Sequence, residues 1–221
     1  MADRGIIFSA PMVRALLDGR KTQTRRLLTN APEGEGWHCD PAETPSGYRF
    51  VAEGGTPSLP CRLPHAIGDR LYVRETCAIV GNVDPGWVLY RSNGYEAECE
   101  RHGFDDPPPE NEVRWRPSIH MPRWASRLTL IVSDVRVQRL QAISEEDART
   151  EGLSRWDIGG EGTRWNWHDS PSVVWPQARA AFEALWNSLH DKPGTTWADN
   201  PWIYAVTFEV VHKNIDEVEN V

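Results

Sequence analysis

The chain has 221 residues, of which 39% are hydrophobic and 25% charged, and its 24 Lys and Arg against 32 Asp and Glu give a formal charge of −8. That length suits one large domain, or one domain with sizeable insertions, burying roughly 70% of its unfolded surface. No apolar run approaches the roughly 20 residues of a membrane-spanning helix, which excludes such a span. Met1-Ala2-Asp3-Arg4-Gly5 shows no basic segment leading into an apolar one, so secretion is not expected. Cys39, Cys61, Cys77 and Cys99 lie 22, 16 and 22 residues apart with no C-x-x-C pair, a spacing that fits reduced thiols in a cytoplasm.

In chain order, the pattern predicts a strand over Ile6–Ser9 and a short helix from Pro11 to Asp18, with Pro11 in the first turn and Gly19 just past the end. Thr22 to Leu28 is β-like. Residues 31–60 carry Pro, Gly and Glu without periodicity and read as irregular. Arg70–Glu75 and Val88–Arg91 follow as strands, and residues 100–112, with Pro107-Pro108-Pro109, as a loop. Arg127–Leu140 is the longest strand signal. Leu128, Leu130 and Val132 alternate, then the parity shifts to Val135 and Val137, which calls for a bulge near Ser133-Asp134.

Ser144 with Asp147 makes a capping box for a short acidic helix that ends at Gly152. Residues 154–172 form a further loop. Trp175, Ala178, Phe182, Leu185, Trp186 and Leu189 fall at helical spacing, and Trp202, Tyr204, Val206, Phe208 and Val210 alternate as a closing strand. The fold class expected is α+β, with a small mixed β-barrel and flanking helices. One domain spans residues 1–221, with three loop insertions at about 29–66, 81–113 and 154–172.

Charge is unevenly spread. Residues 1–30 hold six basic and two acidic side chains (+4), residues 114–139 six and one (+5), so the remainder sums to −17. If the two basic stretches meet, they form a positive site on an acidic body; otherwise they are ordinary salt-bridged strands. Basic residues divide as 21 Arg against 3 Lys, and there are 11 Trp. Arg and Trp together suit phosphate and ring recognition, though for the Arg excess alone a genomic bias toward Arg codons is the better account.

Nucleotide-binding, zinc-protease and serine-hydrolase motifs are missing. His38, Cys39 and Cys61 match no standard zinc spacing, so neither a metal nor a cofactor is expected. The informative stretch is Gly19-Arg20-Lys21-Thr22-Gln23-Thr24-Arg25-Arg26. In a strand beginning near Thr22, the side chains of Thr22, Thr24 and Arg26 share a face, and Lys21 can lean across it. Such polar residues are either a solvated edge or a used site. Glu151, in the last helical turn before Gly152, sits at the negative end of the helix dipole. That placement favours a protonated carboxyl, as a general acid needs; otherwise Glu151 is an exposed residue tolerating a small penalty, or pairs with Arg155.

The segment from Ala10 to Arg26 resembles the ASCH domain of the PUA-like superfamily, whose G-x-K-x-x-x-x-R signature is matched by Gly19, Lys21 and Arg26. Gly68-Asp69-Arg70-Leu71-Tyr72-Val73-Arg74-Glu75, the long strand leading into Ser144–Gly152, and the closing strand with Trp202 and Phe208 agree with it. The stretch Trp115-Arg116-Pro117-Ser118-Ile119-His120-Met121-Pro122 is similar to larger versions in phage and prophage genomes. The resemblance covers about half the chain.

Small members of that family remove the acyl group from N4-acetylcytidine. The resemblance places the catalytic residues at Lys21, Thr24 and Glu151, with Arg26 beside them. It implies a nucleoside or nucleotide substrate, with Thr24 as nucleophile, Lys21 as its base and Glu151 protonating the leaving amine; a water activated by Lys21 or Glu151 is the alternative. Glu75 joins Arg26 in the substrate-binding set, and the pyrimidine ring stacks on Tyr72, Trp115 or Trp124, unless these are core. Two other readings are open. One is a non-catalytic RNA- or modified-base-binding module using Lys21, Arg26, Arg116, Arg123 and Arg127. The other is a ribonuclease in which Glu151 or His120 handles protons. The net charge of −8 suits a small substrate better than a polymer.

Overall fold

In the computed structural model, the strands marked by alternating apolar residues join in one mixed sheet, and helices pack beside it in an α+β arrangement. The structure describes residues 2–32, 34, 36–42, 47–55, 58–81, 85–168 and 170–219. β1 (Asp3–Ile7) leads into α1 (Ala10–Leu17) and β2 (Gln23–Leu27). α1 forms because Met12, Val13, Ala15 and Leu16 make one buried stripe and Pro11 starts it without wasting a donor. It stops at Asp18, after which Gly19 turns the chain with φ +71°.

Next come β3 (Trp37–Pro41), β4 (Tyr48–Ala52), β5 (Ser58–Pro60), β6 (Arg70–Arg74), β7 (Cys77–Val80) and β8 (Trp87–Tyr90), then α2 (Tyr95–His102). β9 (Thr129–Arg139) is followed by α3 (Glu145–Thr150), β10 (Ser154–Asp157), β11 (Thr163–Asn166), α4 (Ala178–Leu189) and β12 (Trp202–Val211). Among the described residues no helix is long and apolar enough to cross a membrane.

The central sheet has the order β1-β6-β9-β12-β2, with β1 parallel to β6 and the other pairs antiparallel. β9 and β12 form its spine. Thr207 pairs with Asp134 but Phe208 with Val132, so Ser133 is the extra residue of a bulge at the position the parity shift predicts. Leu71, Leu130, Val132, Val206 and Phe208 fill the core that this sheet shares with α1. Each such side chain stabilises the fold by roughly 1.5–3 kcal/mol through burial.

Three expectations need correction. First, no sheet among the described residues closes into a barrel: β1 and β2 are both edges. The edges approach each other, yet what links them is a side chain, because Arg26 donates to Ile7 O at 2.7 Å where a closed barrel would have a backbone ladder. Second, the stretch read as irregular between 31 and 60 holds the antiparallel sheet β3-β4-β5, which seats Phe50 against Trp202 with ring centroids 5.1 Å apart. Third, the other two insertions are not loops throughout. β8 and α2 lie in one, with α2 ending at Gly103 in the left-handed conformation, and the β10–β11 hairpin lies in the other. Trp175, assigned to the last helix, precedes α4 and exchanges two backbone hydrogen bonds with Trp165.

Candidate active site

Lys21 and Glu151, 130 residues apart, meet in a single antiparallel bridge outside the named strands. Several backbone bonds fix the crossing. The Lys21 amide donates to Ala15 O at the end of α1, and the Thr22 amide to Thr150 O at the end of α3, both at 3.0 Å. Phe208 N reaches Thr22 O at 2.9 Å, which attaches the crossing to β12. α3 is held in place by its cap, the Ser144 hydroxyl accepting from Asp147 N at 3.0 Å.

Gly152 completes the geometry. Its φ is +96°, and a Cβ there would fall 2.8 Å from the Ala15 Cβ and 3.0 Å from the Lys21 Cβ. A side chain is excluded twice over, by backbone conformation and by space. Only glycine lets α3 end against α1 and leave Glu151 facing Lys21.

The Lys21 ammonium donates to Glu151 Oε2 at 2.9 Å, Glu151 O at 2.7 Å and Gln23 O at 2.9 Å, which uses all three of its protons. The other carboxylate oxygen, Glu151 Oε1, accepts from Arg25 Nη1 at 2.9 Å, and the same nitrogen donates to Gln23 Oε1. Arg25 Nη2 lies 3.1 Å from Asp147 but off the line of a hydrogen bond, so this contact is electrostatic. Lys21 and Glu151 are only 2% and 3% exposed. Burial pushes the Lys21 amine below its ordinary range; Glu151 opposes that shift, and Arg26 and Arg25 add to it.

This arrangement departs from the sequence reading in two respects. Glu151 is buried rather than exposed, and both its carboxylate oxygens accept from cationic donors. The side chains that meet Glu151 are Lys21 and Arg25, and Gln23 lies beside them, whereas the even-numbered face had been singled out. Arg25, Gln23, Asp147 and Gly152 complete the centre. Gln23 and Arg25 are signalled only by the polar residues on both faces of β2, and Asp147 and Gly152 by the cap and the stop they give α3. Thr24 is buried on the opposite face from Gln23 and Arg25, paired across the sheet with Val206. Among the described residues no hydrogen bond joins its hydroxyl to Lys21 or Glu151. Arg20 pairs with Asp18 and donates to Gly152 O.

Arg26 stays near: its guanidinium lies 5.3 Å from the Phe8 ring centroid, and Lys21 Nζ lies 5.6 Å from the same centroid. The other proposed substrate contacts lie elsewhere. Tyr72 is on β6, paired with Gly5 and faced by Arg123. Glu75 is buried under Arg127 and Ser92. Trp115 packs on a satellite core with Ala78, Leu89 and Val113, and Trp124 is exposed in a 3-10 turn.

The two basic stretches do meet, but at an acid, since Arg25 and Arg136 both reach Asp147. Arg123 pairs with Asp3 and Asp216, and Arg127 with Glu75. Cys39 and Cys61 hydrogen-bond each other, which pushes the first thiol up and the second down. No group of three or more His, Cys, Asp or Glu among the described residues is arranged to hold a metal ion. A cavity of about 990 Å³, lined by Leu28, Arg139, Gly194 and Trp202 among others, lies apart from the pair.

Comparisons of the chain with known families, characterised proteins and solved structures find no match.

Proposed function

We propose that this is an ASCH-type, PUA-like protein whose Lys21–Glu151 pair hydrolyses the amide of an N4-acylated cytosine nucleoside or nucleotide. The observation that carries the reading is the 2.9 Å contact between Lys21 and Glu151, the two titratable groups that the resemblance assigns to catalysis. On this reading, the open sheet with approaching edges is an incomplete form of the family's barrel.

In a dry site a proton passing from Lys21 to Glu151 leaves a neutral amine beside a neutral acid, an exchange that burial favours. Arg25 cannot take part in it, because a guanidinium does not lose its proton. The Lys21 amine then takes the proton of an attacking hydroxyl, and Glu151 gives its own to the exocyclic nitrogen as the C–N bond breaks. If Thr24 attacks, the acyl group passes to its oxygen and a water releases it as the carboxylic acid. If water attacks, acid and amine form directly. Either route requires substrate to displace at least one of the acceptors that now hold Lys21. The test is to incubate the protein with N4-acetylcytidine and with short RNA and follow both products. Release of cytidine and acetate supports the reading, and its absence across several N4-acyl groups removes it.

One observation favours a second reading, a non-catalytic RNA- or modified-base-binding module: at 2% and 3% exposure, the pair ties β2 to α3 as a structural ion pair does. Salt-dependent RNA affinity in a protein without turnover would establish it.

A further inference from the structure

Beside the Lys21–Glu151 pair lies a group of basic and aromatic side chains that forms no ion pair with an acid among the described residues. Arg26 donates to Ile7 O and rests on Phe8, but among the described residues no carboxylate stands within ion-pair distance of it. Tyr204 is its cross-strand partner, and the His65 ring lies 6.0 Å from the Tyr204 ring at 56°. His65 Nδ1 is buried without a hydrogen-bond partner. Arg4, exposed on β1, shares the strand face that ends in Phe8 and also lacks an ion pair among the described residues.

The acids nearby are already committed. Asp69 accepts from Ala2 N at 2.8 Å and Ala66 N at 3.0 Å, and Glu151 is held by Lys21 and Arg25. Burial, and then Arg4, hold His65 below its ordinary range, and burial does the same to Arg26. A partly buried cation without a counterion is costly unless a ligand supplies one. Here the charge sits at the gap between the edge strands, next to the groups assigned to amide hydrolysis.

We propose that Arg26, His65 and Arg4 form a phosphate subsite, so that the substrate of the neighbouring pair is a nucleotide carrying a phosphate monoester. The inference rests on the hydrolase reading for the base, and on this cluster alone for the phosphate. Arg26 offers the fork of donors that matches phosphate oxygens, His65 Nδ1 offers a further donor in the matching tautomer, and Arg4 adds charge at the solvent side.

Calorimetric titration with cytidine, cytidine 5′-monophosphate, inorganic phosphate and the dinucleotide CpC tests the assignment. The monophosphate is expected to bind at least about tenfold more tightly than cytidine, and inorganic phosphate to compete with it. Arg26→Ala and His65→Ala should each remove that advantage, and Arg4→Ala should reduce it. Melting curves identify any variant that fails to fold, and Arg26→Lys, which keeps the charge, should retain part of the preference. Equal affinity for cytidine and its monophosphate, or a preference surviving Arg26→Ala, overturns the subsite. CpC binding as tightly as the monophosphate also overturns it, in favour of an RNA backbone. Loss of the hydrolase reading is seen separately, as absent turnover with the phosphate preference intact.

Discussion

Glu151 and Glu75 are both nearly inaccessible carboxylates held by arginine, and α1 touches the surroundings of both. Ala15 O accepts the Lys21 amide on one side, while Arg14 reaches Ser92 O at 2.8 Å on the other. Around Glu75, Arg127 donates from Nε at 2.9 Å and from Nη2 at 3.2 Å, and the Ser92 hydroxyl donates as well. The Arg127 guanidinium also lies 3.9 Å from the centroid of the Tyr90 ring, whose hydroxyl burial pushes up to about 12. Around Glu151, one of the two cations is a lysine. The difference is chemical: a Lys–Glu pair can exchange a proton, whereas an Arg–Glu pair with a serine donor only holds its shape. The signature-bearing centre therefore suits proton transfer, and the Glu75 centre fastens the segment around Ser92 and Tyr90 to the sheet.

The largest expected effect divides the two centres by activity. Glu151→Gln, Lys21→Ala and Thr24→Ala should each lower turnover of N4-acetylcytidine by at least about a hundredfold, the scale of losing an acid–base group or nucleophile. The double change Lys21→Ala/Thr24→Ala should cost barely more than either alone. Glu75→Gln should leave turnover within a few fold in protein that is still folded. Chromatographic detection of released cytidine, with melting curves as a control, makes the measurement. Equal losses from both centres would break the comparison.

The next effect lies in stability. Glu75→Ala strands Arg127 beside an empty site and should destabilise by about 3 kcal/mol, the range for breaking a buried pair from one side. Urea unfolding measures it, and an Arg127→Met/Glu75→Met double variant should recover part of the loss. Gly152→Ala should cost about 1–3 kcal/mol through its positive φ and the contact with Ala15, and should lower turnover as well by moving Glu151. A neutral Gly152→Ala would mean that the crossing of α1 and α3 is looser than its backbone bonds imply.

Much of this frame was legible in the residues. The parity shift in β9 marked the bulge, Pro11 and Gly19 bounded α1, and Ser144 with Asp147 started α3, because each signal is local backbone chemistry. β3 to β5 were not legible: the segment is interrupted by Pro and Gly, and its strands are defined by pairing with one another and by Phe50 meeting Trp202, a contact 152 residues apart. In the site, Lys21 and Glu151 were singled out and do meet. Arg25 was not assigned a contact with Glu151, because strand alternation sets it on the face opposite Thr24 and Arg26, and Glu151 reaches that face from a distant helix. Glu75 was assigned to substrate because nothing in its own segment announces Arg127 and Ser92.

The smallest effect concerns pH and sharpens the contrast from the Glu151 side. Asp147 stands behind Arg25, with Arg136 on its other oxygen. Burial alone would raise the Asp147 carboxyl, but Arg25 and Arg136 outweigh it, and the group titrates below the ordinary 3.8. An acid whose folded value lies below its unfolded one stabilises the protein fully above the unfolded value, and that contribution disappears as pH falls through the folded one. The window is therefore below about pH 4, and a pair this open to solvent contributes about 1 kcal/mol at most. Melting temperatures from pH 5 down to pH 2.5 should fall less steeply in Asp147→Asn than in the unaltered protein, while the two converge at the acid end. If the curves remain parallel throughout, Asp147 is not the outer support of Arg25, and Glu151 with Gln23 holds that guanidinium in place.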